Sequence, residues 1–157
     1  APRMDDAVRA RLVEQSEAFM RRCGYTGILA IEYFVKGGEL YFNEMAPRPH
    51  NSGHYTIEGC TTNQFRELCR YLLGEPLQEP RLVAPTVMKN ILGEDLAAAE
   101  AVAAETGAEG AQSPEEGVYV HLYGKSVSKP KRKMGHITFV GMTAGEYDAR
   151  WRGRFVE

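Results

Sequence analysis

The sequence predicts an α+β protein in which antiparallel strands with packed helices are followed by a small, mostly-β C-terminal unit. Two apolar, aromatic-rich runs flank Gly37-Gly38, which is the signal of a β-hairpin. Apolar residues at helical spacing come before and after this hairpin. A short polar connection with two prolines, residues 74–81, then leads into further strand-like segments. These three observations give the fold class and its division into two parts.

Helices are predicted on both sides of the hairpin. The first covers residues 4–23, with acids near its start, basic residues near its end, and Gly24 as its natural stop. In the second, Phe65 to Leu72 would present an apolar face to the core. Thr61, with Gln64 three residues later, predicts a capping box at its start.

The domain boundary is predicted within the proline-punctuated connection, which gives domains of residues 1–76 and 77–157. The second domain is predicted to contain three strands and two helices, with a turn-rich connection over residues 106–117. The strands are expected at residues 82–92, 118–123 and 136–142, and the helices at residues 96–104 and 143–154.

The composition narrows the class of protein. A chain of 157 residues with 43% hydrophobic residues can bury one ordinary core or two small ones. The net charge of -2 gives no general attraction to nucleic acid, and no membrane segment or signal peptide is visible, so neither partner is expected. The three cysteines lack Cys-x-x-Cys spacing and are typical of reduced thiols in a cytoplasmic protein.

Chemically capable side chains are concentrated just after the second strand of the hairpin. Asn43 and Glu44 end that strand, where their oxygen atoms could hold a hard cation such as Mg²⁺. Arg48 lies between two prolines and could clamp a phosphate or carboxylate through two parallel hydrogen bonds. The alternative is an ordinary solvated loop, since prolines and glycine are typical of one.

Glu32, on the preceding strand, favours the metal site. A two-residue Gly37-Gly38 turn would set Glu32 opposite Asn43, and a three-residue loop would set it opposite Glu44. Either register brings the Glu32 carboxylate close to the Asn43-Glu44 pair. Opposed acids on paired strands repel, so a cation between them is expected.

Four segments, taken in order, resemble the 5-(carboxyamino)imidazole ribonucleotide synthase family of ATP-grasp enzymes. They are AIEYF at 30–34, NEMAPRPHNSGH at 43–54, MKNILG at 88–93, and YGK at 123–125 with RKMGH at 132–136. The resemblance implies the C-terminal half of an ATP-grasp domain followed by a small C-terminal domain. It includes no counterpart of the family's N-terminal nucleotide-fold domain or of its small ATP-covering lobe.

The resemblance also implies a function. Members of the family use ATP and Mg²⁺ to carboxylate aminoimidazole ribonucleotide with bicarbonate through carboxyphosphate, which gives ADP and phosphate in purine biosynthesis. We therefore expect this chain to require a missing N-terminal portion of the enzyme, to act in the cytoplasm, and to form a homodimer as the complete enzyme. We expect the isolated chain to be inactive.

Residue roles at the metal end follow from the same resemblance. Glu32, Asn43 and Glu44 would bind magnesium, and Asn43 and Glu44 would also hold the nucleotide. Arg48 would stabilise the transferring phosphoryl group or carboxyphosphate.

The remaining implied roles concern the other two substrates. His50 and Asn51 would position bicarbonate as catalytic residues, with Ser52 close by as a substrate-binding residue. Lys125 and Arg132 would hold the phosphate of the ribonucleotide. Three further histidines are expected to support the structure rather than the reaction: His54, His121 and His136.

Other interpretations stay open from the sequence. Residues 124–133 carry five positive charges and could be a solvated connection or a nucleic-acid contact, although no aromatic residues interleave them for base stacking. The chain could also belong to another ATP-grasp carboxylase or ligase, such as biotin carboxylase or glycinamide ribonucleotide synthetase. A non-catalytic nucleotide-binding fragment is the third alternative.

Overall fold

The structure is a computed structural model that describes residues 4–106, 111–113 and 116–156. Within these ranges, helices accompany a two-stranded and a four-stranded sheet, and all strand pairs are antiparallel. The predicted α+β class is confirmed. None of the helices in these ranges combines the length and the hydropathy needed to cross a membrane.

The chain forms two compact units. The first unit consists of Ala1–Gly53 with Gln64–Gln78, and the second consists of His54–Asn63 with Glu79–Glu157. The second unit therefore takes a short segment from the N-terminal half of the chain. The domain limits predicted from the sequence stay a prediction.

Helix α1 (Asp6–Cys23) lies where its apolar spacing predicts. The Asp5 carboxylate accepts the backbone N–H of Ala7 at 2.8 Å and so caps the first turn. Gly24 ends the helix in the left-handed conformation with φ of 60°, which glycine adopts without a steric penalty. Local sequence signals therefore determine both ends.

Strands β1 (Ala30–Lys36) and β2 (Glu39–Ala46) form the predicted hairpin. Lys36 pairs with Glu39, so the loop consists of Gly37 and Gly38 alone. Both glycines have positive φ, 58° and 81°, which a tight two-residue hairpin turn requires.

Helix α3 covers Gln64–Leu73 in the first unit. The prediction that its apolar face builds core is wrong for Phe65 and Leu72, which are 42% and 71% exposed. A two-stranded sheet offers too little apolar surface to cover such a face within this unit.

In its described residues, the second unit contains four strands in the order β3-β6-β5-β4 and three α-helices. The strands are β3 (Thr86–Ile91), β4 (Ala111–Ser113), β5 (Glu116–Leu122) and β6 (Gly135–Val140), and the helices are α2 (Thr56–Gly59), α4 (Leu96–Thr106) and α5 (Ala144–Arg150). Every residue of β6 is buried, as expected for a strand paired on both sides. The core of the second unit includes Ile91, Val102, Phe139 and Trp151.

Two predictions for this unit need correction. Strand β3 begins at Thr86 rather than at residue 82. Pro85 has no amide hydrogen, so the ladder with β6 begins just after it. In the expected turn-rich connection over residues 106–117, residues 111–113 form strand β4, which pairs with β5, and residues 107–110 and 114–115 lie outside the described residues.

Candidate active site

The end of the hairpin places two carboxylates opposite each other. Glu32 of β1 is the antiparallel partner of Glu44 of β2. The two-residue loop alone would pair Glu32 with Asn43, but the register shifts by one residue after Glu32. Tyr33 pairs with Phe42, so Asn43 is the extra residue of a β-bulge. The hairpin thus has the predicted two-residue loop, but Glu32 lies opposite Glu44, which was the pairing predicted for a three-residue loop.

The bulge residue completes a set of oxygen donors. The side-chain amide of Asn43 donates from Nδ2 to Glu32 Oε2 at 3.3 Å, which leaves the amide oxygen for a ligand. Two carboxylates and an amide oxygen are the hard donors that Mg²⁺ prefers. The residues present therefore fit a magnesium site.

The His50 ring lies against both carboxylates. Its Nδ1 is 3.8 Å from Glu32 Oε1, and its Nε2 is 3.6 Å from Glu44 Oε1. One ligand atom from each of the three residues lies within 4.8 Å of the others, and the described ranges contain no second group of this kind. The His50 side chain is 13% exposed, whereas that of Glu44 is 61% exposed. The acids therefore face solvent around a partly buried imidazole.

The backbone of His50 is fixed by a residue of α3. Gln64 Oε1 accepts the His50 N–H at 2.8 Å, and Gln64 Nε2 donates to the His50 carbonyl at 2.9 Å. A Cβ on Gly53 would lie 2.7 Å from the same Gln64 oxygen, so a larger residue there would shift the end of the Gln64 side chain. The sequence analysis missed this role of Gln64. The capping box predicted from Thr61 is wrong, because the helix begins at Gln64 itself.

Arg48, Asn51 and Ser52 are the other predicted site residues in the loop that contains His50. Arg48 is exposed and donates from Nη1 to the Pro49 carbonyl at 2.9 Å, which leaves most of its five N–H donors for a ligand. Asn51 begins a single 3-10 turn, and Ser52 Oγ is 2.9 Å from His50 Nδ1. The structure therefore gathers the acids, His50 and Ser52 into one cluster within the first unit.

Lys125 and Arg132 lie in the second unit, on an exposed loop between β5 and β6. Lys125 Nζ donates to the Lys133 carbonyl at 2.5 Å and lies 5.5 Å from the centre of the Tyr123 ring. Arg132 Nη1 donates to the Val127 carbonyl at 2.9 Å. Both side chains thus hydrogen-bond to backbone carbonyls of their own loop and stabilise its conformation.

The second unit also contains a stack of three histidine rings. The His136 ring lies 4.5 Å from that of His121 and 5.0 Å from that of His54, measured between ring centres. Burial, and then the neighbouring His121 and His54, lower the pKa of His136 from 6.5 to about 3. His121 Nε2 lies 2.6 Å from a carboxylate oxygen of Glu58. These residues are far apart in sequence, so no local pattern predicted the cluster.

Two family models match the chain in succession. Residues 1–65 match the ATP-grasp domain, and residues 86–150 match the phosphoribosylaminoimidazole carboxylase C-terminal domain. The N5-carboxyaminoimidazole ribonucleotide synthase of Vibrio cholerae is 41% identical over 140 residues, and that of Bacillus subtilis is 35% identical over 148 residues. The chain belongs to this synthase family. The resemblance seen in the sequence motifs is confirmed.

The alignments cover most of this chain but a minor part of each relative. They include 89% of the chain and 34% of the Vibrio cholerae protein, and 92% of the chain and 36% of the Bacillus subtilis protein. The chain therefore spans about a third of the length of the curated relatives it matches.

Solved structures of the family have the same fold. The Staphylococcus aureus synthetase complexed with ADP matches with a TM-score of 0.80 and 35% identity, over 99% of this chain and 39% of that one. The Aspergillus clavatus synthase in complex with ADP and 5-aminoimidazole ribonucleotide matches with a TM-score of 0.75 and 32% identity, over 98% and 41%.

Proposed function

We propose that this chain supplies the metal site and the ribonucleotide-phosphate site of an ATP-dependent carbon–nitrogen ligase. In this proposal ATP phosphorylates bicarbonate to carboxyphosphate, and the amine of aminoimidazole ribonucleotide is then carboxylated, with release of ADP and phosphate. The observation that carries the proposal is the cluster in which Glu32, Glu44 and His50 approach within 4.8 Å beside Asn43. The nucleotides found with the relatives support the choice of substrates.

The first part of the proposal concerns ATP. Glu32, Asn43 and Glu44 would hold Mg²⁺, and Asn43 and Glu44 would lie next to the nucleotide phosphates. When bound there, magnesium supplies positive charge that offsets the charge of the phosphates during transfer. The bulge supports this role, because it places Glu44 opposite Glu32 while the Asn43 side chain still bonds Glu32.

The second part concerns bicarbonate. Arg48 has unused N–H donors that would bind the transferring phosphoryl group or carboxyphosphate in two parallel hydrogen bonds. His50 and Asn51 would orient bicarbonate, and Ser52 would hold the His50 ring through the 2.9 Å contact between Oγ and Nδ1. Because Gln64 fixes the His50 backbone on both sides, little reorganisation would be needed before reaction.

The third part concerns the ribonucleotide. Lys125 and Arg132 would bind its phosphate, which lies far from the reacting amine. Such remote binding energy orients the amine and lowers the entropic cost of the reaction. The C-terminal unit would thus close over the substrate. We further propose that the complete enzyme includes the N-terminal portion present in the longer relatives, forms a homodimer and acts in the cytoplasm.

The test uses the complete enzyme, defined as this chain joined to or mixed with the N-terminal portion that completes the length of its relatives. ADP release and carboxylation of aminoimidazole ribonucleotide should both require bicarbonate. The Glu44→Gln variant, which keeps the shape of the side chain but removes a ligand charge, should lose most of the turnover. A folded complete enzyme without bicarbonate-dependent turnover would contradict the proposal.

A further inference from the structure

The positively charged loop of residues 124–133, called the basic loop below, rests on a short turn that follows β3. This turn is the 3-10 segment Gly93–Asp95. Glu94 Oε2 accepts the backbone N–H of Lys131 at 2.8 Å, and the Gly93 carbonyl accepts the Ser128 hydroxyl at 3.1 Å. The turn therefore contacts the loop through a carboxylate and a carbonyl.

Gly93 allows the loop backbone to approach the turn. A Cβ at this position would lie 2.1 Å from the Lys129 carbonyl oxygen and 2.7 Å from its carbon. Real Cβ atoms essentially never come so close to backbone atoms, so any larger residue would displace the loop. The φ of Gly93 is outside the left-handed region, so steric contact alone explains the glycine.

Glu94 supports the loop at its most constrained residue. Within the described part of the chain, Lys131 is the one non-glycine residue with positive φ, at 62°. This conformation is unfavourable for a residue with a Cβ and needs compensating contacts. The carboxylate of Glu94 bonds the N–H of this residue, directly before Arg132.

The turn itself is anchored in the core of the second unit. Asp95 is completely buried and accepts hydrogen bonds from Lys89 Nζ at 3.0 Å, from the Leu92 N–H at 3.3 Å and from the Val156 N–H at 2.8 Å. Burial alone would raise the pKa of Asp95, but these hydrogen bonds lower it, so the carboxylate stays charged and bound. A rigid support therefore lies under Glu94.

We propose that Glu94 is a positioning residue, which holds the basic loop in the shape that presents Lys125 and Arg132 to the phosphate of the substrate. The inference rests on the proposed function, in which those two side chains bind that phosphate. The loop has five positive charges in ten residues, which repel one another. A fixed carboxylate on the adjoining turn opposes that repulsion and selects one backbone conformation.

The charge of Glu94 makes this inference sharply testable. Simple electrostatics predicts that an acid beside a phosphate-binding loop weakens phosphate binding, so removing it should improve affinity. A support role predicts the opposite result for Glu94→Ala, which loses the acceptor of the Lys131 N–H. Glu94→Gln removes the charge but keeps an acceptor oxygen, and so should retain the support.

The experiment compares variants of the complete enzyme by steady-state kinetics. For Glu94→Ala the KM for aminoimidazole ribonucleotide should rise about five- to tenfold, equivalent to about 1 to 1.4 kcal/mol, with kcat and the ribonucleotide-free, bicarbonate-dependent ATPase unchanged. Glu94→Gln should have a KM near that of the wild type, because it keeps the acceptor oxygen. Glu100→Ala is the matched control, because Glu100 is an exposed acid on α4 whose side chain makes no hydrogen bond or ion pair with another described residue. Gly93→Ala should raise KM like Glu94→Ala.

Hydrogen exchange over residues 124–133 separates the inference from the proposed function. Glu94→Ala should speed exchange in the basic loop, whereas Glu94→Gln and Glu100→Ala should not. If the wild-type complete enzyme fails to bind the ribonucleotide, the proposed function is wrong. Faster loop exchange in Glu94→Ala would then still show that Glu94 holds the basic loop. An unchanged or lower KM, or unchanged loop exchange, in Glu94→Ala would overturn the inference.

Discussion

Lowering the pH from 7 to 5 should destabilise the second unit, because His136 is buried there as a neutral ring. Burial and the stacked His121 and His54 rings lower the pKa of His136 to about 3 in the folded protein. Glu58 pairs with His121 at 2.6 Å, and the Tyr123 hydroxyl lies 2.9 Å from His136 Nδ1. Among the described residues, no carboxylate makes a hydrogen bond to His136 that would favour its charged form.

The sign and size of the effect follow from proton linkage. The unfolded chain binds a proton at His136 below its ordinary pKa of 6.5, whereas the folded chain excludes that proton down to about pH 3. The contribution to the free energy of unfolding is therefore fully present above pH 6.5 and is lost as the pH falls. Between pH 7 and pH 5 the loss is about 2 kcal/mol. The residue is 2% exposed, so solvent screening does little to reduce this value.

Trp151 provides the measurement, because it is the one tryptophan in the sequence and lies in the core of the second unit with 6% exposure. Urea unfolding followed by its fluorescence at pH 7, 6 and 5 gives the free energy of unfolding at each pH. The His136→Asn variant should be less stable at pH 7 but should lose most of the pH dependence. An equally steep decline in the variant would refute the assignment to His136.

Three further predictions concern the proposed activity. In the complete enzyme, Glu44→Gln should lower turnover at limiting Mg²⁺ by at least about tenfold with little change in stability, whereas Glu39→Gln on the same strand should not; unchanged turnover for Glu44→Gln would remove Glu44 from the metal site. Arg132→Ala should weaken ribonucleotide binding by about ten- to a hundredfold, since a charge-assisted hydrogen bond is worth about 1.5 to 3 kcal/mol, and Lys125→Ala should act in the same direction. The ribonucleotide-free ATPase should survive both changes, and Arg150→Ala is the control; loss of that ATPase with unchanged ribonucleotide affinity would place these residues at the nucleotide instead. The 157-residue chain alone should bind ATP weakly and show no carboxylase turnover, so bicarbonate-dependent ATP hydrolysis by it would contradict the proposed need for an N-terminal portion.

Elements governed by local signals could be predicted from the sequence. Asp5 and Gly24 mark the ends of α1, and Gly37-Gly38 marks the hairpin turn, because each signal acts within a few residues of the structure it specifies. Strand β4 was missed, since its formation depends on pairing with β5 rather than on its own composition.

The sequence narrowed the strand register at the candidate metal site to two alternatives but did not choose between them. The turn length alone pairs Glu32 with Asn43, and only the bulge at Asn43 moves Glu44 into that place. A bulge depends on the packing of both strands, and a single polar residue gives no local signal for it. The sequence therefore predicted which residues meet, whereas the structure shows how they meet.

Residues that hold a functional loop proved hardest to infer, and both examples have the same physical form. Gln64 bonds the backbone of His50, and the Glu94 carboxylate bonds the backbone of Lys131. Each interaction joins a side chain to a main chain 14 or 37 residues away. A main-chain partner can be any residue type, so such a contact leaves no complementary pair of side chains in the sequence. Motifs identify the groups that touch a substrate, whereas the groups that position them become visible only when the backbone hydrogen bonds of the loops are traced.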